Sequence, residues 1–144
     1  MSSVHYLSKD KKAKIDSYKE SNILGLKAVD SKYIFLFLAA LGIHNPQERP
    51  KGVPKEDFTR LEYLTKGEEE KAKMRVIYFD YLTQNNLEKL SDIDAAAEYC
   101  EKCAEGGFDI LELMLEESGY DEARLERKML RELDFLYSQY VDII

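Results

Sequence analysis

The pattern of apolar and polar positions is dominated by one unbroken run, Tyr33 to Leu41, reading YIFLFLAAL. A run this short falls well below the ~20 residues a helix needs to cross a bilayer, and it suits a buried element instead. Tyr33, Ile34, Phe35 and Phe37 favour a strand. Leu36, Leu38, Ala39, Ala40 and Leu41 are good helix formers. Asp30 or Ser31 supplies an N-cap, and Gly42 stands where a left-handed C-cap glycine belongs. The pattern therefore predicts a helix over residues 31–42. Being apolar all round, it is expected to be covered on every side by the remaining elements.

The flanking segments are sparser. Lys9–Ser21 carries only Ala13, Ile15 and Tyr18 as apolar residues; it reads as a short helix capped by Ser8, or as an extended arm. Residues 1–8 read as loose. Asn22–Asp30 is a connector, with Ile23, Leu24 and Leu26 turned to the core. His44–Lys55 holds Pro46, Pro50 and Pro54 together with Gly52, which excludes helix and central strand. A loop of this length inside a small domain is more often functional than a short one. Lys55–Thr65 is expected to be a short helix with Phe58, Leu61 and Leu64 along one side.

Gly67 ends that helix, and Glu68, Glu69 and Glu70 open the next, where acidic side chains meet the positive end of the dipole. Its apolar positions are Ala72, Val76, Ile77, Phe79, Tyr81 and Leu82, and it is expected to stop at Asn85–Asn86. Ser91 or Asp92 caps a helix through Ala95–Ala97, Tyr99, Cys100, Cys103 and Ala104. Gly106–Gly107 is expected to interrupt it before Phe108–Glu117 resumes. Ser118–Gly119 stops that segment. A last helix from about Asp121 to Val141 carries a stripe of Leu125, Met129, Leu133, Leu136, Tyr137 and Tyr140 at helical spacing. The sum is an all-α chain: residues 1–144 form a single compact multi-helix domain around the buried helix at 31–42, with a long C-terminal helix.

Composition refines this reading. The 144 residues are 34% charged and 44% hydrophobic, enough for a core without staples. No secretory signal is visible, since the apolar run begins too late and lacks a cleavage site. Two nearby cysteines fit a reducing, cytoplasmic setting better than a disulfide framework. The net charge of −7 is uneven: residues 1–60 hold 11 Lys/Arg against 7 Asp/Glu, and residues 61–144 hold 10 against 21.

Candidate chemistry is thin. Cys100 and Cys103 form a CxxC, but His5 and His44 are the only histidines and neither completes a zinc set. The pair sits inside a helix, not at its start after a strand, so two packed thiols is the favoured reading. Asp94, Glu98, Glu101 and Glu105 share a helix face, read as solvated. Phosphate-loop, HExxH and GxSxG patterns are absent. No catalytic residue, metal ligand or cofactor is therefore assigned. Arg49, Lys51, Lys55 and Arg60, in and after the proline loop, are the candidate nucleic-acid contacts, with Lys9, Lys11, Lys12 and Lys14 as a second basic group. A pI near 5.0 argues against a dedicated nucleic-acid binder. Met129, Leu133, Leu136, Tyr137 and Tyr140 are the candidate partner-binding residues. They would meet another protein or a second copy of the chain.

Motif order adds a resemblance. Phe37-Leu38-Ala39-Ala40-Leu41-Gly42 is followed by Arg49-Pro50, then Phe58, then Ala97-Glu98-Tyr99 and Gly106-Gly107-Phe108-Asp109-Ile110-Leu111. Over residues 31–117 this resembles the small proteins associated with bacterial DNA phosphorothioation (dnd) systems and related antiphage defence operons. Lys66–Lys73 and the C-terminal helix depart from that pattern. The family has no assigned catalytic residues, so none is carried over. The resemblance implies a non-enzymatic accessory or adaptor subunit in the cytoplasm, beside larger DNA-acting defence proteins encoded nearby. The alternative is a module of such a complex that touches DNA directly. No membrane association is expected.

Overall fold

A computed structural model describes residues 4–82 and 87–143, apart from the side chains at positions 61, 80, 122, 132, 133, 136, 137 and 139–143. The expected helix stop at Asn85–Asn86 lies outside the described residues. The chain, read from sequence as one domain, divides into two compact units, Met1–Ile110 and Leu111–Ile144.

The first unit opens with strand β1 (Val4–Ser8), then helix α1 (Lys9–Glu20), a 3-10 segment (Ile23–Ala28) and helix α2 (Ser31–Leu41). Strand β2 (Lys55–Arg60) follows the proline loop and leads into α3 (Leu61–Thr65), α4 (Glu68–Leu82), a 3-10 turn (Leu87–Ser91) and α5 (Ile93–Glu117). The fold is thus mostly helical but not all-α. β1 pairs antiparallel with β2, from Val4 opposite Arg60 to Ser8 opposite Lys55. Two expectations fall here. Residues 4–8 are an ordered strand instead of a loose end, and residues 55–60 are a strand instead of the start of a helix. VHYLS alternates faces as a strand should, and Phe58-Thr59 favours the same. Neither strand holds without its distant mate, which local periodicity cannot show. A register shift between His5 and Tyr6 leaves Phe58 without a partner residue opposite, and Phe58 and Thr59 are buried in succession.

α2 is a helix, as the pattern predicts, and Ile34, Phe35, Leu36, Leu38 and Ala39 are buried. Phe35 lies 6.3 Å from Phe58 and 5.8 Å from His5, ring centre to ring centre. The opposite side is not covered: Tyr33 and Ala40 are exposed and Phe37 is half-buried. Gly42 is not a left-handed cap either, since its φ is −93°. It is glycine because α5 crosses there, and a Cβ at Gly42 would overlap the Cys103 carbonyl oxygen. Gly106–Gly107 does not interrupt α5, which is continuous from Ile93 to Glu117. A Cβ at Gly107 would overlap the Leu38 carbonyl oxygen, and one at Gly106 the Asn45 carbonyl oxygen. Glycine inside a helix costs roughly 0.5–1 kcal/mol relative to alanine. Here the missing side chains let backbone lie against backbone, so this is a crossing point and not a break.

Loop residues after α2 continue across the same helix: the Gln47 N–H donates to the Lys102 carbonyl (3.0 Å), and Asn45 Nδ2 donates to that of Gly106 (3.2 Å). On α4 the inward residues are Met74, Ile77, Tyr78 and Leu82, whereas Ala72, Val76, Phe79 and Tyr81 are exposed. These four are among the apolar positions that the pattern marks on the helix, and only Ile77 and Leu82 of that set are buried. Asp92 caps α5, its Oδ1 accepting the Ala95 N–H at 3.1 Å.

In the second unit, residues 111–117 of α5 turn into α6 (Glu122–Ile143). The Tyr120 N–H donates back to the Leu115 carbonyl at 2.9 Å, and Gly119 adopts φ +64°. This is the left-handed exit that glycine serves after a helix. Asp121 Oδ1 accepts the Ala123 N–H at 3.0 Å and starts α6.

Candidate functional site

β1 and α5 bring together a polar cluster that spacing alone did not reveal. His5 is 1% exposed, and its Nδ1–H donates to Glu101 Oε2 at 2.8 Å. An ionised carboxylate only accepts, which places the proton on Nδ1. One helical turn further on, Glu105 is 3% exposed, so the reading of this helix face as solvated fails there. Its carboxylate accepts the Ser8 backbone N–H at 3.1 Å and the Ser8 hydroxyl, with the Lys11 ammonium 3.3 Å away. Lys11 also donates to the Glu105 carbonyl (3.0 Å) and pairs with Asp109 (3.2 Å). The buried charge is therefore paired and hydrogen-bonded, as burial demands. Ser8, expected as a helix cap, spends its hydroxyl on Glu105 and makes no cap bond to α1. The legible signal was the i, i+4 spacing of Glu101 and Glu105 facing a strand with His5 and Ser8. It needed the β1 pairing to be seen.

An open cleft of about 430 Å³ lies beside this cluster, lined by Tyr6, Gln47, Glu48, Arg49, Lys55, Glu98, Glu101, Lys102 and Glu105. Arg49 and Lys55 of the candidate nucleic-acid set meet here, with Lys55 Nζ 4.1 Å from the Tyr6 ring centre. Four carboxylates share that wall with three cations, a balance that disfavours phosphate. Arg60 stands at the other end of β2, ~16 Å away at strand rise. It lines a different cleft and lies 3.5 Å from Glu62. Lys51 is exposed on the loop. The four residues thus do not converge. Of the N-terminal lysines, Lys11 is committed to Glu105 and Asp109, and Lys12 pairs with Asp16 at 2.7 Å.

Cys100 and Cys103 are both buried thiols, not joined in a disulfide. Burial, reinforced by Cys103, pushes the Cys100 thiol far up, away from a reactive thiolate. Among the described residues, no group of three His, Cys, Asp or Glu side chains is placed to hold a metal ion.

The uncovered side of α2 forms an apolar groove with α4, about 550 Å³ in volume. Tyr33, Leu36, Phe37 and Ala40 line it from α2, and Ala72, Val76 and Ile77 from α4. Val76 is 68% exposed. The rim charges neutralise one another within the chain: Lys73 pairs with Glu69 at 3.2 Å, and Lys32 with Glu70 at 3.3 Å. Glu70 also accepts from the Tyr33 hydroxyl at 3.4 Å. Its carboxyl lies below the ordinary value of 4.5, chiefly through its own backbone N–H; burial opposes this, and Lys32 reinforces it.

On α6, Met129 is half-buried and Leu125 fully buried, while Leu130 and Phe135 are exposed. Leu133, Leu136, Tyr137 and Tyr140, proposed from sequence as partner contacts, lie outside the described side chains.

No protein-family model, no curated protein and no solved structure matches the chain. Among the described residues, no helix is long and apolar enough to cross a membrane.

Proposed function

We propose that this chain is a non-enzymatic adaptor that works by protein–protein contact, receiving an apolar helix face of a larger partner in the groove between α2 and α4. The observation that carries the reading is the exposed apolar wall itself: Tyr33, Ala40, Ala72 and Val76 stand open on two adjoining helices. Helix-in-groove recognition uses such surfaces. The rim carboxylates and ammoniums already answer one another, so the groove favours an apolar occupant over a charged one. Two further features support the reading: the polar cluster is internally satisfied at Glu105, and the thiols are buried. The resemblance over residues 31–117 supplies the setting, an accessory subunit beside larger antiphage defence proteins in the cytoplasm. Two of its motifs, Ala-Ala-Leu-Gly and Gly-Gly-Phe-Asp, lie on the two sides of the α2–α5 crossing. The DNA-contacting alternative has less support, because Arg49 and Lys55 face carboxylates and Arg60 stands apart.

The test is co-purification of the tagged chain with each product of its neighbouring genes. One product is expected to copurify with the wild type and not with Val76→Glu, while the variant melts as the wild type does. Failure of every product to copurify would overturn the adaptor reading.

A further inference from the structure

Three tyrosines of α4 and α5 meet in a cluster that the adaptor reading leaves unused. Tyr78 and Tyr81 are three residues apart on α4, which sets them on one side of the helix. Tyr99 of α5 packs against both. The ring centres of Tyr78 and Tyr81 lie 6.1 Å apart with planes 11° from parallel, and Tyr99 stands 4.8 Å from Tyr81 and 5.6 Å from Tyr78. Tyr78 is buried and Tyr99 half-buried, but Tyr81 is 55% exposed. All three line an open cleft of about 640 Å³, together with Pro46 of the proline loop and Glu98.

Ring spacing decides what such a cluster can hold. At 4.8 to 6.1 Å the rings touch one another as aromatic pairs ordinarily do, so no ligand group fits between them. A cage for a quaternary ammonium is excluded, since it needs rings around a shared gap. What the rings offer is a continuous aromatic floor. The charges at its edge are a second observation, independent of the rings. Lys102 is answered by Glu48 at 3.4 Å, and Lys89 is exposed at the rim. Glu98 is exposed and forms no ion pair among the described residues. Burial pushes the Tyr78 phenol up from its ordinary 10.0, and Asp92, Tyr81 and Glu98 reinforce this. Its hydroxyl therefore stays a proton donor, in a field made negative by two carboxylates.

We infer that this floor receives a proline-rich segment of a partner protein in polyproline II form, with an arginine or lysine beside its prolines that meets Glu98. Polyproline II turns once in three residues and leaves every carbonyl free. Prolines on one side of it lie flat on the rings, and tyrosine hydroxyls donate to its carbonyls. The segment is stiff before it docks, so little freedom is lost. Glu98 fixes its direction, because only one orientation brings the cation there. A nucleobase would stack on the same rings, but its phosphate would meet the carboxylates of Glu98 and Asp92. The floor goes beyond the adaptor reading as a second docking surface, and it shares no lining residue with the α2–α4 groove.

The experiment is fluorescence anisotropy of a fluorescein-labelled oligoproline, with one arginine at its amidated end, against the full chain. Saturable binding is expected, and a peptide with glycine and serine in place of the prolines should bind about tenfold more weakly. Tyr81→Ala should melt as the wild type does and weaken binding about tenfold, whereas Tyr81→Phe, which keeps the ring, should stay within about threefold. Glu98→Lys is expected to lose the arginine peptide and to prefer the same peptide with glutamate in place of arginine. This charge swap carries the test if Tyr81→Ala does not fold. No saturable binding, equal binding of the glycine-serine peptide, full binding by a folded Tyr81→Ala, or an arginine preference kept by Glu98→Lys would overturn the inference. So would Tyr81-dependent binding of oligothymidine in place of the peptide, or a dimer in sedimentation that Tyr81→Ala dissociates; these would give the floor to nucleic acid or to a second copy. Val76→Glu should bind the peptide as the wild type does, so failure of the groove and failure of the floor are read separately.

Discussion

The two sides of α2 have nearly the same composition and opposite fates. One side lies so close to α5 that glycines stand at the contact on both chains of backbone, Gly42 on one and Gly107 on the other. The other side looks across Tyr33, Phe37 and Ala40 into an open groove. Hydrophobicity alone did not decide which side was sealed. Glycine spacing on the partner helix did, because only a helix stripped of side chains at one turn can approach so far. The difference teaches that an all-apolar helix can be sealed on one side and stand open on the other.

The sealed side should be the harder to perturb. Leu38→Asp places an unpaired charge at a fully buried position. That costs several kcal/mol against the ~5–15 kcal/mol a domain holds, so circular dichroism should show an unfolded chain at room temperature. A cooperatively melting Leu38→Asp protein would place the core elsewhere. Glu105→Ala strips the Ser8 N–H, the Ser8 hydroxyl and Lys11 of their acceptor, and should lower stability by about 3 kcal/mol in urea titration. Glu70, on the open side, should matter through pH. Its folded carboxyl sits below the ordinary 4.5, so its contribution is present above that value and is lost as pH falls through the lower folded value. Glu70→Gln should flatten that acid limb of the melting curve. The smallest effect belongs to the open groove: Val76→Glu should change stability by no more than about 0.5 kcal/mol while abolishing partner capture.

Much of the helical plan was legible. α2, the acidic start of α4, the Asp92 cap and the stop at Gly119 each follow from local chemistry that the sequence displays. What could not be read was set at a distance. β1 and β2 lie about fifty residues apart and each takes its strand pairing from the other, so residues 55–60 looked like the opening of a helix. Gly42 and Gly106–Gly107 looked like helix ends, because glycine reads as a terminator until the backbone facing it is known. The apolar positions read on α4 did not separate exposed Val76 and Phe79 from buried Ile77, and Met74 and Tyr78 escaped notice, because α4 carries apolar residues on more than one face. The polar cluster was half legible: Glu101 and Glu105 were seen, but their partners His5 and Ser8 come from the strand that local pattern missed. Arg49, Lys51, Lys55 and Arg60 cluster in sequence and disperse in space, since an extended strand carries Arg60 away from Lys55.

The α2–α5 crossing is tested most directly by urea unfolding of Gly107→Ala. At an ordinary helix interior, glycine to alanine stabilises by roughly 0.5–1 kcal/mol. Here the new methyl meets the Leu38 carbonyl, and overpacking against backbone should destabilise by about 3 kcal/mol. A loss of that size with an unchanged unfolding slope is the predicted result; a gain in stability would contradict the account.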